Sequence, residues 1–422
     1  RGPSGGPAEG VRRLARWLRM ARQQRRLRVL QSFPHKIGAA RICDTAWHQA
    51  EGVDKAGADL LVMTGAIHRP LPPDVRVRTT LARGKVRIPY GAIGRMRAMK
   101  LHDHLVARAL PRLQDEIDIV HTWPLGALET LKTARRLGIP TVLERPNAHT
   151  RFAYEVVRDE GARIGVQLPP DHEHAFNDEI LAREEAEYEL TDGLLCPSEF
   201  VVRTFLDQGA APERLVRHLY GFDETRFVAR TRTREEGDGL TVLFAGVAAV
   251  RKGLHFALEA WIASPASENG RFLIAGDFLP EYRDALAPLL AHPSVEALGH
   301  RTDLPDLMAG SDVMVLPSIE EGFGLVCVEA MGAGAIPMVS DACTDVCVHD
   351  VNALVHQVGD VAALTQQFTA LHEQPELVAR LRAGALRDAP ELTWDRAGVR
   401  LVEAYREVIA RVAAPRALRS VA

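Results

Sequence analysis

The run Asp312-Val-Met-Val-Leu316, continued by PSIEEGFGLVCVEAMG over residues 317–332, decides how this chain is read. Asp312–Leu316 is a short apolar stretch stopped by Pro317, the pattern of a buried strand. Gly322 and Gly324, on either side of Phe323, let the backbone pass close to a ligand. Leu325 to Met331 then reads as a helix whose first-turn N–H groups face the glycine turn. A helix opening from such a turn offers free donors and a positive dipole end, which together make an anion site. Glu321 precedes the turn and Glu329 follows eight residues later. Carboxylates beside a phosphate site do not bind the phosphate; they accept hydrogen bonds from sugar hydroxyls. A diphosphate flanked by hydroxyls describes a nucleotide sugar. The plainer alternative is a solvated acidic loop ahead of an ordinary helix.

Outward from this stretch, α/β alternation covers most of the 422 residues. Strand-like runs at Leu27–Gln31, Leu60–Thr64, Ile117–Thr122, Pro140–Glu144 and Gly193–Pro197 alternate with helical stretches. A second series follows at Thr241–Gly246, Phe272–Gly276, Val295–Gly299, Val313–Leu316 and Ala335–Ser340. Such alternation implies parallel sheets covered by helices on both faces. The expected organisation is a basic leader (1–26), a first Rossmann-like domain (27–221) and a linker (222–239). A second Rossmann-like domain (240–395) and a C-terminal segment (396–422) complete it. Residues 155–180, with Pro169-Pro170-Asp171-His172-Glu173-His174, break the rhythm and read as a long insertion near the cleft. The two histidines there, two residues apart and without cysteines nearby, do not make a metal site.

Bulk properties narrow the classes. The net charge is −3, which argues against a nucleic-acid binder. Five cysteines without a C-x2-C pair suit a reduced, cytosolic chain with buried or idle thiols rather than a metal or redox pair. No apolar run approaches the roughly 20 residues that cross a bilayer, and no secretory signal is read at the N-terminus. Residues 1–10 are Gly/Pro-rich and expected to be unstructured. Residues 11–28 place Val11, Leu14, Trp17, Leu18 and Ala21 on one helical face among arginines. That stretch reads either as a helix lying on an anionic membrane, at the inner face, or as a solvated Arg-rich helix. No G-x-G-x-x-G follows Leu27–Gln31 or Thr241–Gly246, which argues against an NAD-dependent oxidoreductase.

Glu321-x7-Glu329 with Gly-Phe-Gly inside it resembles the signature of family-4 retaining glycosyltransferases, which adopt the two-domain GT-B fold. The resemblance extends from about Phe33 to about Trp394. It implies sugar transfer from a nucleoside diphosphate sugar to an acceptor hydroxyl with retained anomeric configuration, without metal or cofactor. It implies that Glu329 takes the ribose hydroxyls while Glu321 meets the donor sugar. Gly246-Val247-Ala248-Ala249-Val250-Arg251-Lys252-Gly253 resembles the family's Gly-Arg-x4-5-Lys-Gly loop, with Val247 where the arginine usually stands. Arg251 and Lys252 would there neutralise the leaving diphosphate. Asp277, after Ile274-Ala275-Gly276, and Arg301, after Gly299-His300, resemble donor-lining positions. Phe33–Ala40, containing Gly38, resembles the Gly-rich acceptor-side loop, with Ala39 for the second glycine. His121 resembles the family's strand-end histidine near the reacting centre. Glu144-Arg145-Pro146-Asn147-Ala148-His149 resembles an acceptor-side segment with Arg145, Asn147 and His149 as contacts. Glu187-Tyr188-Glu189 and Cys196-Pro197-Ser198-Glu199-Phe200 resemble further family stretches. By the same resemblance the C-terminal segment crosses back onto the first domain. The acceptor is left open among small molecules, lipids and polysaccharides. A nucleotide-sugar 2-epimerase and a non-catalytic nucleotide-sugar-binding protein share the donor and the fold and remain as alternatives.

Overall fold

The computed structural model describes residues 26–83, 86–88, 93–172, 174–230 and 238–414. The basic stretch at 11–25 lies outside them. The first half supplies β1 (Arg28–Ile37), β2 (Asp59–Ile67), β3 (Arg76–Thr79), β4 (Ala82–Arg83), β5 (Val86–Arg87), β6 (Ile119–Thr122), β7 (Thr141–Glu144), β8 (Gly193–Cys196) and β9 (Leu215–Arg217). The short pair β4–β5 is antiparallel and stands apart; the others form a seven-stranded sheet in the order β3-β2-β1-β6-β7-β8-β9. All of its pairs are parallel. The second half supplies β10 (Thr241–Ala245), β11 (Arg271–Ala275), β12 (Val295–Gly299), β13 (Val313–Leu316), β14 (Ile336–Ser340) and β15 (Leu354–His356). Their order is β12-β11-β10-β13-β14-β15, again parallel throughout. Each order reverses at its first strand, between β1 and β6 and between β10 and β13. Ligands of open α/β sheets bind outside the strand ends at such reversals.

Helices α1 (Ile42–Lys55), α2 (Arg95–Leu113), α3 (Leu128–Leu137), α4 (Thr150–Arg163), α5 (Asp178–Leu190) and α6 (Glu199–Asp207) belong to the first half. The second carries α7 (Leu254–Ala263), α8 (Pro280–Ala285), α9 (Ala287–Leu290), α10 (Leu304–Ala309), α11 (Leu325–Ala333), α12 (Val361–Glu373), α13 (Pro375–Asp388) and α14 (Trp394–Ala413). Strand alternation divides each core in two. Val29 and Phe33 of β1 pack with Trp47 and Tyr405 on one face, and Leu30 packs with Val106 and Leu110 on the other. In β10, Val242 and Phe244 join Trp261 and Phe368, whereas Leu243 and Ala245 join Val328 and Met331.

Helix α14 lies against α1, where Gly398 meets Gly52. A Cβ on Gly398 would sit 2.3 Å from the Gly52 backbone, so two glycines set this close approach. The start of the 222–239 segment is not a bare linker: Phe222 and Phe227 are buried in the second domain's core, and Phe222 pairs with Thr393.

Two local readings are corrected. Phe33-Pro34-His35-Lys36-Ile37, expected as a loop, continues β1, with a register shift between Phe33 and Lys36. Pro34 fits because that irregularity spares the ladder bond a proline cannot make. Residues 155–163, expected within an irregular insertion, belong to helix α4, whose first turn is capped by His149 Nδ1 accepting from the Arg151 N–H at 3.2 Å. Val157 of α4 and Val166 beyond it enter the second domain's hydrophobic core. No helix among the described residues is long and apolar enough to cross a membrane.

Candidate functional site

A cavity of about 380 Å³ opens between the two sheets. Its second-domain wall consists of Lys252, Glu321, Phe323, Gly324, Leu325, Val326 and Glu329. Gly324 is the N-cap of α11, at φ 73°, and no side chain caps that helix. The opening N–H groups of α11 therefore face the cavity with the positive end of the helix dipole. Lys252 ends the single turn Val250–Lys252 that follows β10, and Gly253 closes it at φ 63°. A Cβ on Gly253 would lie 2.0 Å from the Pro317 carbonyl oxygen, so only glycine brings this turn against the β13 loop.

Lys252 forms an ion pair with Glu321, and Arg251 lies 3.6 Å from the same carboxylate. Burial would raise the Glu321 pKa, but Lys252 and then Arg251 outweigh it and lower it. Glu320 beside it is fully buried and held down to about 2, because His174 and Arg251 outweigh its desolvation. Glu329 is the opposite case. Burial, reinforced by Asp44 and opposed by Arg226, pushes its carboxyl up to about 7. Lys252, a helix N-terminus and two carboxylates thus converge on one cavity, with Arg251 behind them, an arrangement able to hold a diphosphate and grip hydroxyls beside it.

The opposite wall belongs to the first domain: Arg41, Ile42, Asp44, Thr45 and His48 around the start of α1, with Pro146 and Asn147 after β7. Tyr220, Asp223, Arg226, Phe227 and Trp394, on the two chain crossings, close the side. His48 stacks on Trp394 with ring centres 5.0 Å apart and planes within 2°.

Residues 239–374 match the family described as "Glycosyl transferases group 1". D-inositol 3-phosphate glycosyltransferase of Xylanimonas cellulosilytica is 26% identical over 393 residues, 85% of this chain and 89% of that protein. Among solved structures, sucrose-phosphate synthase of Thermosynechococcus elongatus superposes with a TM-score of 0.67 at 18% identity, covering 92% of this chain and all of the other. Anabaena HepE in complex with UDP and glucose gives 0.61 at 17% identity, covering 90% of this chain and 99% of that one. The chain has the GT-B fold and carries a group 1 glycosyl transferase domain.

Within this GT-B fold, the residues singled out from sequence separate into two groups. Lys252, Glu321, Phe323, Gly324, Leu325, Glu329 and Asn147 line the cavity. Arg251 and Gly322 stand directly behind that wall; a Cβ on Gly322 would meet the Pro146 carbonyl oxygen at 1.5 Å. The remaining residues lie elsewhere. His121 is fully buried, its Nδ1 2.7 Å from the Tyr405 hydroxyl and its Nε2 3.2 Å from Glu144. Glu144 also accepts from Gln49, His218 and Tyr220 at 2.8–2.9 Å. His121 therefore serves a closed polar cluster beneath α14 and does not reach the cavity. Arg145 is buried on Glu184 at 3.0 Å, with its guanidinium over the Tyr188 ring. His149 is spent on capping α4 and packs edge-on to Tyr188 and Phe205. Burial, then Arg145, lowers its pKa to about 3. Gly38 packs under Arg69, where a Cβ would lie 2.5 Å from the Arg69 Cβ.

Gly246 and Asp277 sit at neighbouring strand ends outside the cavity lining: Gly246 N–H donates to the Ala275 carbonyl at 3.0 Å, and the Asp277 carbonyl accepts from Ala248 at 2.8 Å. Arg301 is exposed and paired with Asp303. Glu187 has a structural role, accepting the N–H groups of Leu125, Ala127 and Leu128 at the start of α3. No cluster of three or more His, Cys, Asp or Glu side chains placed to hold a metal occurs among the described residues.

Sequence reasoning missed Arg41, Asp44, His48, Asp223, Arg226 and Trp394 as lining residues. They come from three separate stretches of chain, and only the apposition of the domains unites them.

Proposed function

We propose that the protein transfers a sugar from a nucleoside diphosphate sugar to an acceptor hydroxyl, retaining the anomeric configuration and using no metal. The observation that carries this reading is the convergence of Lys252, the α11 N-terminus, Glu321 and Glu329 on one interdomain cavity. The hard step is departure of the diphosphate as the sugar gains oxocarbenium character. Lys252, Arg251 behind it and the N–H groups at Gly324–Val326 meet the charge that develops on the leaving oxygen. Each such preorganised donor lowers the barrier by about 3–4 kcal/mol. The donor displaces Lys252 from Glu321, which frees that carboxylate for a sugar hydroxyl. Glu329, ionised, accepts from the ribose. The departing phosphate takes the proton of the acceptor hydroxyl on the same face, so no protein base is required. Arg41, Asp44 and His48 form the wall an acceptor meets, and apposition of that wall excludes water. The complexes of HepE with UDP and with UDP-glucose are consistent with this donor class.

The test is incubation with UDP-glucose, GDP-mannose and ADP-glucose against a panel of hydroxyl acceptors, with the anomeric configuration of products read by NMR. An α-linked product from an α-linked donor is expected. An inverted product, or loss of turnover on removing divalent cations, refutes the mechanism. Conversion of the donor to its 2-epimer without acceptor refutes transfer.

A further inference from the structure

We infer that Glu320 and His174 are positioning residues that hold Arg251 ready for the leaving diphosphate only while the two domains are apposed; this rests on the donor reading above. Glu320 is fully buried, and its carboxylate is shared between the domains. Its Oε1 lies 3.3 Å from Arg251 Nη1 and 3.2 Å from His174 Nε2. Its Oε2 accepts from the Ala148 N–H at 3.4 Å. Arg251 Nη1 also donates to the Glu320 carbonyl at 3.2 Å. Arg251 and Glu320 belong to the second domain, Ala148 and His174 to the first.

The same first-domain arm holds the second domain at further points. Glu160 of α4 pairs with His255 at 2.7 Å, just beyond the Val250–Lys252 turn, and Arg163 lies over the Phe256 ring. Val157 and Val166 anchor the arm in the second domain's core. Arg251 in turn is tied to the β13 loop through its carbonyl, which accepts from Ile319 at 2.9 Å. The cationic turn is thus built by both domains.

The two adjacent glutamates therefore differ in kind. Glu321 lines the cavity, where an incoming phosphate competes for Lys252. Glu320 is sealed off, so no ligand reaches it, and it fixes the guanidinium from behind. A buried carboxylate requires its full set of donors. Without His174 and Ala148 from the first domain, Glu320 lacks two of those donors and draws the guanidinium further toward itself, away from the phosphate. With the domains apposed, His174 and Ala148 share the carboxylate with Arg251 and so hold the guanidinium in place for the departing charge.

The experiment is a double-mutant cycle on the full chain with His174→Phe and Glu320→Gln. It reads kcat and donor KM for transfer, with UDP, GDP and ADP binding by calorimetry and thermal melting as the fold control. Each single variant is expected to lower kcat roughly tenfold or more while donor KM moves much less, because the contact acts at the transition state. The double variant is expected to be no slower than the slower single, since both act through one guanidinium. Additive losses, or wild-type kcat in folded single variants, overturn the inference. Should Glu320→Gln fail to fold, His174→Asn on its irregular loop decides alone, and an unchanged kcat refutes the latch. Failure of the wild-type chain to bind any of the three nucleotides overturns the donor reading itself and the inference with it. Normal wild-type binding and transfer with indifferent variants overturns the latch only.

Discussion

Replacing Gly322 by alanine puts a methyl group where the first domain's backbone already stands. The new Cβ would lie 1.5 Å from the Pro146 carbonyl oxygen, 2.4 Å from its carbon and 3.1 Å from the Asn147 nitrogen. A relaxed C···O contact is about 3.3 Å, so roughly 1.8 Å of separation must be found. Neither side yields as a side chain would. Pro146 and Asn147 follow β7 directly, and the Ser198 hydroxyl donates to the Gly322 carbonyl at 2.6 Å. The relief comes from moving the 320–324 loop away from the first domain, taking Glu321 and the α11 N-terminus with it. Overpacking of this sort costs about 1–3 kcal/mol in stability. The chemical step suffers more, because a displacement of about 1 Å in reacting groups is worth about 100-fold in rate. Initial transfer rates and thermal melts of the Gly322→Ala protein check this together. A rate at least about 100-fold down, with a modest fall in melting temperature, is expected. A rate within about threefold of wild type and an unchanged melt would mean that the domains do not touch at Gly322 during turnover, and the reasoning fails.

Lys252→Ala is expected to lower kcat by about 100- to 1,000-fold in steady-state assays, the effect of removing one preorganised charge donor. Glu329 carries a raised pKa of about 7, so nucleotide affinity should climb as pH rises from about 6 to about 8, and calorimetry on Glu329→Gln should show that climb abolished. The stability sign runs the other way. The unfolded carboxyl loses its proton first, near 4.5, so this group's contribution falls as pH rises from there to about 7 and is flat above; melts of Glu329→Gln should lack that slope. Tyr405→Phe removes the hydroxyl 2.7 Å from His121 Nδ1 and leaves a buried nitrogen without that partner. It should cost about 1–3 kcal/mol in denaturant unfolding. Because His121 is sealed beneath α14, kcat should stay near wild type.

The inner strands were legible because they are compact apolar runs bounded by turn residues, as in Val313–Leu316 before Pro317, whereas the short edge strands β3 (RVRT), β9 and β15 were not. The cap of α6 is just as local: Ser198 Oγ accepts from the Val201 N–H three residues on, at 3.2 Å. The second-domain wall of the cavity was largely readable, since Glu321, Gly324 and Glu329 fall within one strand–turn–helix unit. The first-domain wall was not. A histidine ending a buried strand faces either a cleft or whatever packs over it, and His121 meets Tyr405, 284 positions later in the chain. His174 and Glu320 are 146 positions apart, and no local pattern announces that they touch. The 155–163 stretch looked irregular because its charged residues hid a helix whose apolar side, with Tyr154 and Val157, is buried by tertiary packing.

Helix α14 has a consequence for how the protein comes into being. The trough on the first sheet that receives Leu401, Tyr405 and Val408 exists as soon as that sheet forms, yet its occupant is made long after it. Roughly 180 residues separate β9 from α14, which at 5–20 residues per second leaves the trough wet for about 10–35 s of synthesis. Through that interval the nascent first domain shows an uncovered greasy seam, a handhold for chaperones, and a premature stop before Trp394 would leave it bare for good.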